Sequence, residues 1–160
     1  MTAAPEEAAR PARAEDAEPI LALAREMRAG MAAQRGGPLW ECHDALAPLT
    51  AALLVARAAD PALATLVGTL DEHVLAYGLA HLEPVARGEG TLGVIDELFV
   101  AEPARAVGLG EKLLGALVAW CREANCIGID ATALPGDRQA KNFFESAGFK
   151  ARRLVMHTDL

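Results

Sequence analysis

The sequence predicts an α/β fold of the α+β type, with one central mixed, mostly antiparallel sheet flanked by helices on both faces. The predicted order of elements is strand, two helices, three strands, helix, strand, helix, strand. A short polar link at residues 71–73 joins two strand-like runs as a hairpin, which requires antiparallel pairing. The later strand–helix–strand unit requires a parallel crossover, so both kinds of pairing occur in one sheet.

The length and composition fit one domain. The chain has 160 residues, of which 52% are hydrophobic, and this is enough to bury a core. We expect residues 1–7 to form a flexible tail, because they are acidic and contain a proline. Residues 8–160 are expected to form the single domain.

Charge and cysteine content restrict the partners of the chain. The formal net charge is -7 and no Lys/Arg cluster occurs, so we expect no nucleic-acid and no membrane partner. The cysteines Cys42, Cys121 and Cys126 form no Cys-x-x-Cys pair, which argues against a disulfide framework and against a metal site. A cytoplasmic location is therefore expected. The sequence leaves open whether the chain forms a homodimer.

The first half of the chain is predicted to form a strand, two helices and the hairpin. Glu15 and Asp16 begin the first helix with acidic side chains, which the helix dipole favours. Ile20 and Met27 follow at helical spacing on one face. A glycine-rich segment at 36–38 then interrupts the chain. The predicted bounds are 8–14 for the strand, 15–27 and 42–58 for the two helices, and 64–70 and 74–82 for the hairpin strands.

The second half is predicted to form a strand, a long helix, a strand, a helix and a last strand. The long helix carries one apolar stripe at a spacing of four residues, formed by Leu109, Leu113, Leu117 and Cys121. Cys121 is thereby expected to be buried, which argues against a covalent cysteine mechanism. In chain order, the predicted bounds are 92–100 for the strand, 108–123 for the long helix, 127–133 for the next strand, 138–147 for the second helix and 152–157 for the last strand.

The turn before the long helix is the most informative segment. Gly108 and Gly110 lack a Cβ, so a ligand can approach the backbone where the first helical N–H groups have no partner. Such N–H groups favour a pyrophosphate, and Arg105 can add a positive charge. A turn that only starts a helix explains the same glycines, and both readings stay open.

The residues of this turn do not match two other kinds of phosphate-binding loop. A Walker loop requires Ser or Thr after Gly-Lys, but Lys112 follows Glu111 and precedes Leu113. A dinucleotide-binding loop requires a small residue where Leu113 stands, although Asp130 lies where a ribose-binding acid is expected. A dinucleotide-dependent oxidoreductase is therefore a much weaker hypothesis than an enzyme of another class that binds a pyrophosphate at this turn.

Two sequence signatures then resemble the GNAT acetyltransferases. The segment Arg105-x-x-Gly108-x-Gly110 after a strand is similar to the acyl-CoA pyrophosphate motif of that family, and the preceding strand ends in Leu98-Phe99-Val100. The family's next signature is commonly Asn-x-x-Ala, an aromatic pair and Gly-Phe. This sequence has Asp137-x-x-Ala140, Phe143-Phe144 and Gly148-Phe149 in the same order, and its opening at 10–16 is also similar.

The resemblance implies a GNAT acyl-CoA acyltransferase fold, acetyl-CoA as cosubstrate and no metal. The resemblance implies that the backbone of 98–100 pairs with the pantetheine arm, and that the strand ending at Val100 and its neighbour separate after Val100 to open the cleft. It also implies that the loop holds the pyrophosphate, and that Lys141 reaches the adenosine phosphate. The implied cofactor-binding residues are Leu98, Phe99, Val100, Arg105, Ala106, Val107, Gly108, Leu109, Gly110, Asp137, Lys141 and Phe144.

Two positions depart from the family pattern. Asp137 replaces the usual Asn and loses a donor, and a plain helix N-cap after Pro135-Gly136 explains it equally well. Phe144 stands where many members have a Tyr that is thought to protonate the leaving thiolate, and Phe has no such proton.

Acetyl transfer to an amine requires a base, because a protonated amine has no lone pair. Asp96 and Glu97 interrupt an otherwise apolar strand, and strand alternation predicts that they point to opposite faces. We expect Asp96 to be the base or amine anchor, with Glu97 next. A structural ion pair, or a bulge that lets one carboxylate reach water, remains the alternative. Trp40, Tyr77 and His81 are weaker candidates for contacts with the acceptor.

The resulting function prediction is an N-acetyltransferase that moves the acetyl group from acetyl-CoA to a primary amine by direct attack. The acceptor is a small molecule or a protein, and the acidic pair favours a cationic one. A catalytically silent module that binds acyl-CoA is the first alternative, motivated by Phe144. An NAD- or FAD-dependent oxidoreductase is the more distant alternative.

Overall fold

The computed structural model describes residues 5–160 and contains one five-stranded sheet. The strands are β1 (Glu7–Pro11), β2 (Leu63–Leu70), β3 (His73–Pro84), β4 (Thr91–Val100) and β5 (Gly128–Ala131). They lie in the order β1-β2-β3-β4-β5, and all neighbours are antiparallel except β4 and β5, which are parallel. The predicted mixed, mostly antiparallel sheet is confirmed.

Helices lie in the chain between β1 and β2, between β4 and β5, and after β5. They are α1 (Ala17–Ala32), the single turn α2 (Gly37–Leu39), α3 (Ala51–Ala59), α4 (Leu109–Glu123) and α5 (Arg138–Ser146). Shorter 3₁₀ turns cover Ala14–Asp16 and Glu102–Val107. No helix in residues 5–160 has the length and hydropathy that a membrane span requires.

Two apolar clusters cover the two faces of the sheet. On one face α4 buries Leu109, Leu113 and Leu117, as its sequence stripe predicts. Gly93 permits this close packing, because a Cβ there would lie 2.3 Å from Cys121 Sγ. On the other face α1 and α3 pack against β2 and β3, around a core that contains Ile20, Leu23, Leu54, Val67, Tyr77 and Leu79. The prediction of helices on both faces is therefore confirmed.

The N-terminal strand begins earlier than predicted. Glu7, which was assigned to the expected tail, pairs with Leu70, and β1 ends at Pro11 rather than at residue 14. Ala12 still donates its N–H to Thr65 O at 2.9 Å, and the chain then turns into the short segment Ala14–Asp16. The rest of the expected tail lies at 5–6, which have no regular structure, and at 1–4, which fall outside the described residues.

The predicted helix at 42–58 is two separate pieces. A π-helical segment covers Trp40–Asp44, Ala45 is extended, and α3 begins only at Ala51. Pro48 explains the break, because proline removes a helical hydrogen bond and disfavours helix in the residue before it. Thr50 then caps α3 by accepting a hydrogen bond from Leu53 N at 3.2 Å.

The predicted last strand at 152–157 is wrong for this structure. Residues 150–160 have no regular secondary structure, and the side chains of 154–156 are more than 80% exposed. The guanidinium of Arg152 contacts the carboxylate of Asp130 on β5. The segment is thus held beside the sheet edge by a side-chain ion pair and not by a backbone ladder.

Candidate active site

A bulge in β4 determines the geometry of the site. Leu79 pairs with Glu97, whereas its neighbour Ala80 pairs with Ile95, so Asp96 is an extra residue without a partner on β3. One extra residue resets the alternation of side chains along the bulged strand. Asp96 and Glu97 therefore point to the same face of the sheet, and the expectation that they point to opposite faces is wrong.

Both carboxylates meet partners from β3 on that face. His81 Nδ1 lies 2.8 Å from Asp96 Oδ1, and Tyr77 donates its hydroxyl hydrogen to Glu97 Oε2 at 2.7 Å. Tyr77 and His81 are four residues apart on one strand and so share a face. The bulge thus places two neighbouring hydrogen-bonded pairs, Asp96 with His81 and Glu97 with Tyr77, on the face of the sheet that α1 and α3 cover.

Asp96 is surrounded by cationic and donor groups. Its side chain is 9% exposed, and Arg57 of α3 places a guanidinium nitrogen 3.9 Å from Asp96 Oδ2. Burial raises the pKa of Asp96 above its ordinary value, while His81 and Arg57 oppose that rise. A carboxylate with a raised pKa is a stronger base, provided that it is still ionised near neutral pH.

Glu97 is equally buried but has a different partner. It is 7% exposed, and the fully buried Tyr77 is its hydrogen-bond donor. Burial raises the pKa of Glu97, and the hydrogen bond from Tyr77 opposes this rise. The pKa of the Tyr77 hydroxyl is itself raised by burial and by the Glu97 charge, so Tyr77 remains a neutral donor.

The cleft of the site opens where β4 and β5 separate. The two strands pair from Leu92↔Gly128 to Ile95↔Ala131, and β4 then continues alone to Val100. The separation thus follows Ile95 and not Val100, which corrects the expected position. It leaves the β5-facing backbone of 97–100 without a strand partner beside a cleft of about 420 Å³.

Most of the predicted ligand-binding side chains line this cleft. It is lined by both acids, by the predicted cofactor residues Leu98, Phe99, Val100, Arg105, Gly110, Asp137 and Phe144, and by Trp40. From α1 it receives Met27, Gly30 and Met31, and from the turn after that helix it receives Gln34; the sequence reasoning did not place these side chains at the cleft. The cleft therefore has a half near the α4 turn and a second half between α1, Trp40 and the acids.

The turn before α4 has the geometry expected of an anion site. Gly108 precedes α4 with φ 82°, in the left-handed region that favours glycine. The first helical N–H groups that follow have no intrahelical partner. Arg105 donates from Nε to Val100 O at 2.9 Å and lies over the Phe99 ring, which places its guanidinium at the cleft. Its role in binding pyrophosphate remains a prediction.

Other predicted cofactor residues have more limited access. Four of them do not line the cleft, namely Ala106, Val107, Gly108 and Leu109, and Leu109 is fully buried. These residues can therefore contact a cofactor only through their backbone. Lys141 is also outside the lining and pairs with Glu145 at 3.1 Å on the surface of α5.

Asp137 is the N-cap of α5 and also lines the cleft. Its Oδ1 accepts from Ala140 N at 2.9 Å, which is the N-cap of α5. Its Oδ2 lies 3.5 Å from Gln34 Nε2 at the cleft wall. Within residues 5–160, the buried Gln34 Oε1 has no hydrogen-bond partner. A ligand N–H in the cleft could satisfy this acceptor, which no sequence motif indicated.

Two of the three predicted acceptor contacts do not reach the cleft directly. Trp40 lines it, whereas Tyr77 and His81 stand behind Glu97 and Asp96 respectively. Arg57 was also missed, although a lone arginine in the apolar run of α3 is a signal for a buried ion pair. No set of three His, Cys, Asp or Glu side chains in the described part of the chain is arranged to hold a metal.

Comparisons with known proteins agree with this geometry. The model of the acetyltransferase (GNAT) family matches residues 33–149. A mutant of the BH1408 protein from Bacillus halodurans superposes with a TM-score of 0.80 at 22% identity, covering 95% of this chain and 98% of that one. No curated protein sequence matches the chain.

Two structures with assigned reactions share the fold. Glucosamine-6-phosphate N-acetyltransferase from Arabidopsis thaliana has a TM-score of 0.70 at 16% identity, covering 96% of this chain and 98% of that one. AAC(6')-Iy, solved in complex with a CoA bisubstrate analogue, has a TM-score of 0.74 at 14% identity, with 97% and 98% covered. At these identities the likeness shows the fold alone.

Proposed function

Because the chain belongs to the GNAT acetyltransferase family, we propose that it transfers an acetyl group from acetyl-CoA to a primary amine by direct attack. The observation that carries this proposal is the cleft between β4 and β5, which has a helix N-terminus at one end and two buried acids at the other. The first end suits a nucleotide diphosphate and the second suits a cationic amine.

The residues around the cleft fit acetyl-CoA. The backbone of β4 from Glu97 to Val100 has no strand partner on the β5 side, so it can pair with the amide groups of the pantetheine arm, although Val100 O already accepts from Arg105 Nε. The N–H groups after Gly108 and the guanidinium of Arg105 can hold the pyrophosphate. Gln34 Oε1 supplies an acceptor for a further ligand N–H.

The second half of the cleft fits an amine with an apolar body. Met27, Met31 and Trp40 supply apolar walls, and Asp96 and Glu97 supply the negative charge. A small-molecule amine is also consistent with the structural neighbour that acetylates glucosamine 6-phosphate. An amine on a protein remains open.

The acids perform the step that the amine requires. A lysine-like ammonium has a pKa near 10.4 and must lose a proton before it can attack. Asp96 accepts this proton in the proposed reaction, with Glu97 as the second candidate. Acetyl-CoA supplies the thioester carbonyl carbon, at which the C–N bond forms and the C–S bond breaks. A thiolate of pKa about 8.5 leaves with little help, so Phe144 is compatible with turnover.

A catalytically silent acyl-CoA-binding module is the second candidate. Phe144 favours it, since its ring packs on Phe143 and Phe149 at 5.3 Å and has no proton to give. The family assignment replaces the oxidoreductase hypothesis.

One experiment separates the two candidates. CoA binding is measured by calorimetry, and thiol release from acetyl-CoA is measured with a panel of aliphatic, aromatic and sugar amines. The proposal expects binding together with amine-dependent thiol release. Binding without release for every amine favours the silent module, and absence of binding contradicts both.

A further inference from the structure

The two buried acids of β4 differ in what surrounds them. Asp96 and Glu97 are adjacent in the chain, lie on the same face and are buried to a similar depth. Depth alone therefore does not decide which of them is charged when an amine arrives. Their partners do, because a buried carboxylate stays ionised only when nearby donors and cations compensate for lost solvation.

Asp96 has compensating groups on both oxygens. His81 Nδ1 contacts Oδ1 at 2.8 Å, and a guanidinium nitrogen of Arg57 lies 3.9 Å from Oδ2. Arg57 is fixed independently of Asp96, because it donates to Ala64 O and Ala80 O at 3.0 Å each and to Thr65 Oγ1 at 3.3 Å. The positive charge beside Asp96 is thus built into the packing of α3 on the sheet.

Glu97 has a neutral partner. The Tyr77 hydroxyl donates to the Glu97 carboxylate and so favours its charged form, but it can also accept a hydrogen bond from a protonated carboxylic acid. Among residues 5–160, no Lys, Arg or His nitrogen lies within 4.0 Å of Glu97, and Arg28 and Arg57 act on it only from a greater distance. The charged form of Glu97 therefore receives less support than that of Asp96.

We propose that His81 and Arg57 are positioning residues that hold the Asp96 carboxylate charged beside the acceptor, so that Asp96 rather than Glu97 takes the amine proton. This inference rests on the proposed acetyltransferase function. The amine gives one proton to Asp96 Oδ2, while Oδ1 keeps its hydrogen bond from His81 Nδ1. The nitrogen lone pair is then free to attack, and the nitrogen releases a second proton as the C–S bond breaks, which ends on the departing thiolate or in water. Asp96 returns its own proton to water through the open cleft.

The other charged groups near His81 are few. Glu83 on the same strand lies 3.7 Å from His81 Nε2 at the surface, and Asp96 and Arg57 face it from β4 and α3. The His81 side chain is 34% exposed and does not line the cleft. Substitutions of His81 therefore probe Asp96 with little change to the core.

The test compares two substitutions of His81. His81→Leu removes the donor to Asp96 Oδ1, whereas His81→Asn retains an N–H at the position of Nδ1. Loss of a hydrogen bond to a charged carboxylate moves its titration by about 1–2 pH units. We expect the acidic limb of kcat/KM to move up by about that amount in His81→Leu and by much less in His81→Asn.

Control measurements separate this effect from simple damage to the fold. His73→Leu removes an exposed histidine from the start of the same strand and should leave the profile unchanged. Activity of His81→Leu should recover above its shifted limb, and its KM for acetyl-CoA should equal that of wild type. A loss that is the same at every pH would overturn the proposal.

A second readout does not depend on turnover. The side-chain carboxyl carbon of Asp96 can be titrated by ¹³C NMR in wild type and in His81→Leu, with Asp96→Asn to assign the signal. The proposal requires an upward shift of the Asp96 titration in His81→Leu, and an unchanged titration overturns it. Failure of every amine to react would instead refute the acetyltransferase function, and with it the proton transfer to Asp96. The NMR titration tests only whether His81 holds the Asp96 carboxylate charged.

Discussion

Replacement of Asp96 by Asn tests the assigned base directly. The substituted amide keeps the shape of the side chain and an oxygen for the hydrogen bond from His81, so the local packing is preserved. It removes the negative charge that would accept the amine proton. We expect thiol release at pH 7 to fall by about 10²–10⁴-fold, the usual contribution of a general base.

The pH dependence of this variant gives the sharper test. An acceptor amine of pKa near 10.4 is unprotonated in about one molecule in 2500 at pH 7. Without a base, the enzyme must wait for this fraction, which grows about tenfold per pH unit up to the amine pKa. The rate of Asp96→Asn should therefore rise about tenfold per unit between pH 7 and 10.

Binding of CoA serves as the control for Asp96→Asn. Asp96 lies at the acid end of the cleft, away from the turn before α4, so the Kd for CoA should stay within about twofold. Glu97→Gln, the matched variant on the neighbouring residue, should lose less activity at pH 7. Equal losses of turnover and CoA affinity, or a rate deficit that does not change with pH, would refute the role of Asp96.

Three further substitutions test other parts of the structure. Tyr77→Phe leaves the buried Glu97 without its donor and should lower the free energy of unfolding by about 1–3 kcal/mol in urea titrations at pH 8; an unchanged midpoint would contradict the pairing. Asp16→Asn weakens the buried pair with Arg10, whose two contacts are 2.6 and 3.0 Å. Because Arg10 holds the pKa of Asp16 below its ordinary value, the wild-type advantage should be complete above pH 5 and disappear as the pH falls below about 3.8; a difference that persists in acid would refute it. Phe144→Tyr supplies a proton donor beside the cleft and should raise kcat less than tenfold in thiol-release assays, since a thiolate leaves readily; a gain of a hundredfold or more would show that thiolate protonation limits the reaction.

Much of the fold could be predicted from the order and periodicity of the elements. The apolar stripe of α4 fixes its buried face, and a hairpin joins β2 to β3 as expected, although its turn is 71–72 and His73 of the predicted link already pairs with Leu70. Gly108 could also be predicted, because a glycine directly before a helix often takes the left-handed conformation that the structure shows. These are local signals, and they depend on residues that are close in the chain.

The chemistry of the acid pair could not be predicted from the same signals. Whether Asp96 and Glu97 share a face depends on one extra residue in β4, and the register of that strand is set by pairing with β3. The contact of Arg57 with Asp96 joins residues 39 positions apart, which no periodicity reveals. The last strand was wrong for a related reason, since β propensity at 152–157 does not decide whether a partner edge is reached.

The central claim is that the turn before α4 binds the diphosphate of CoA, and calorimetric titration tests it most directly. Gly108→Glu adds a negative charge and a Cβ at a backbone φ of 82°, whereas the control Gly88→Glu does so at φ 132° in the exposed turn between β3 and β4. The account predicts that wild type and Gly88→Glu bind one CoA per chain and that Gly108→Glu binds at least tenfold more weakly. Equal affinity of all three proteins, or no binding to wild type, would contradict it.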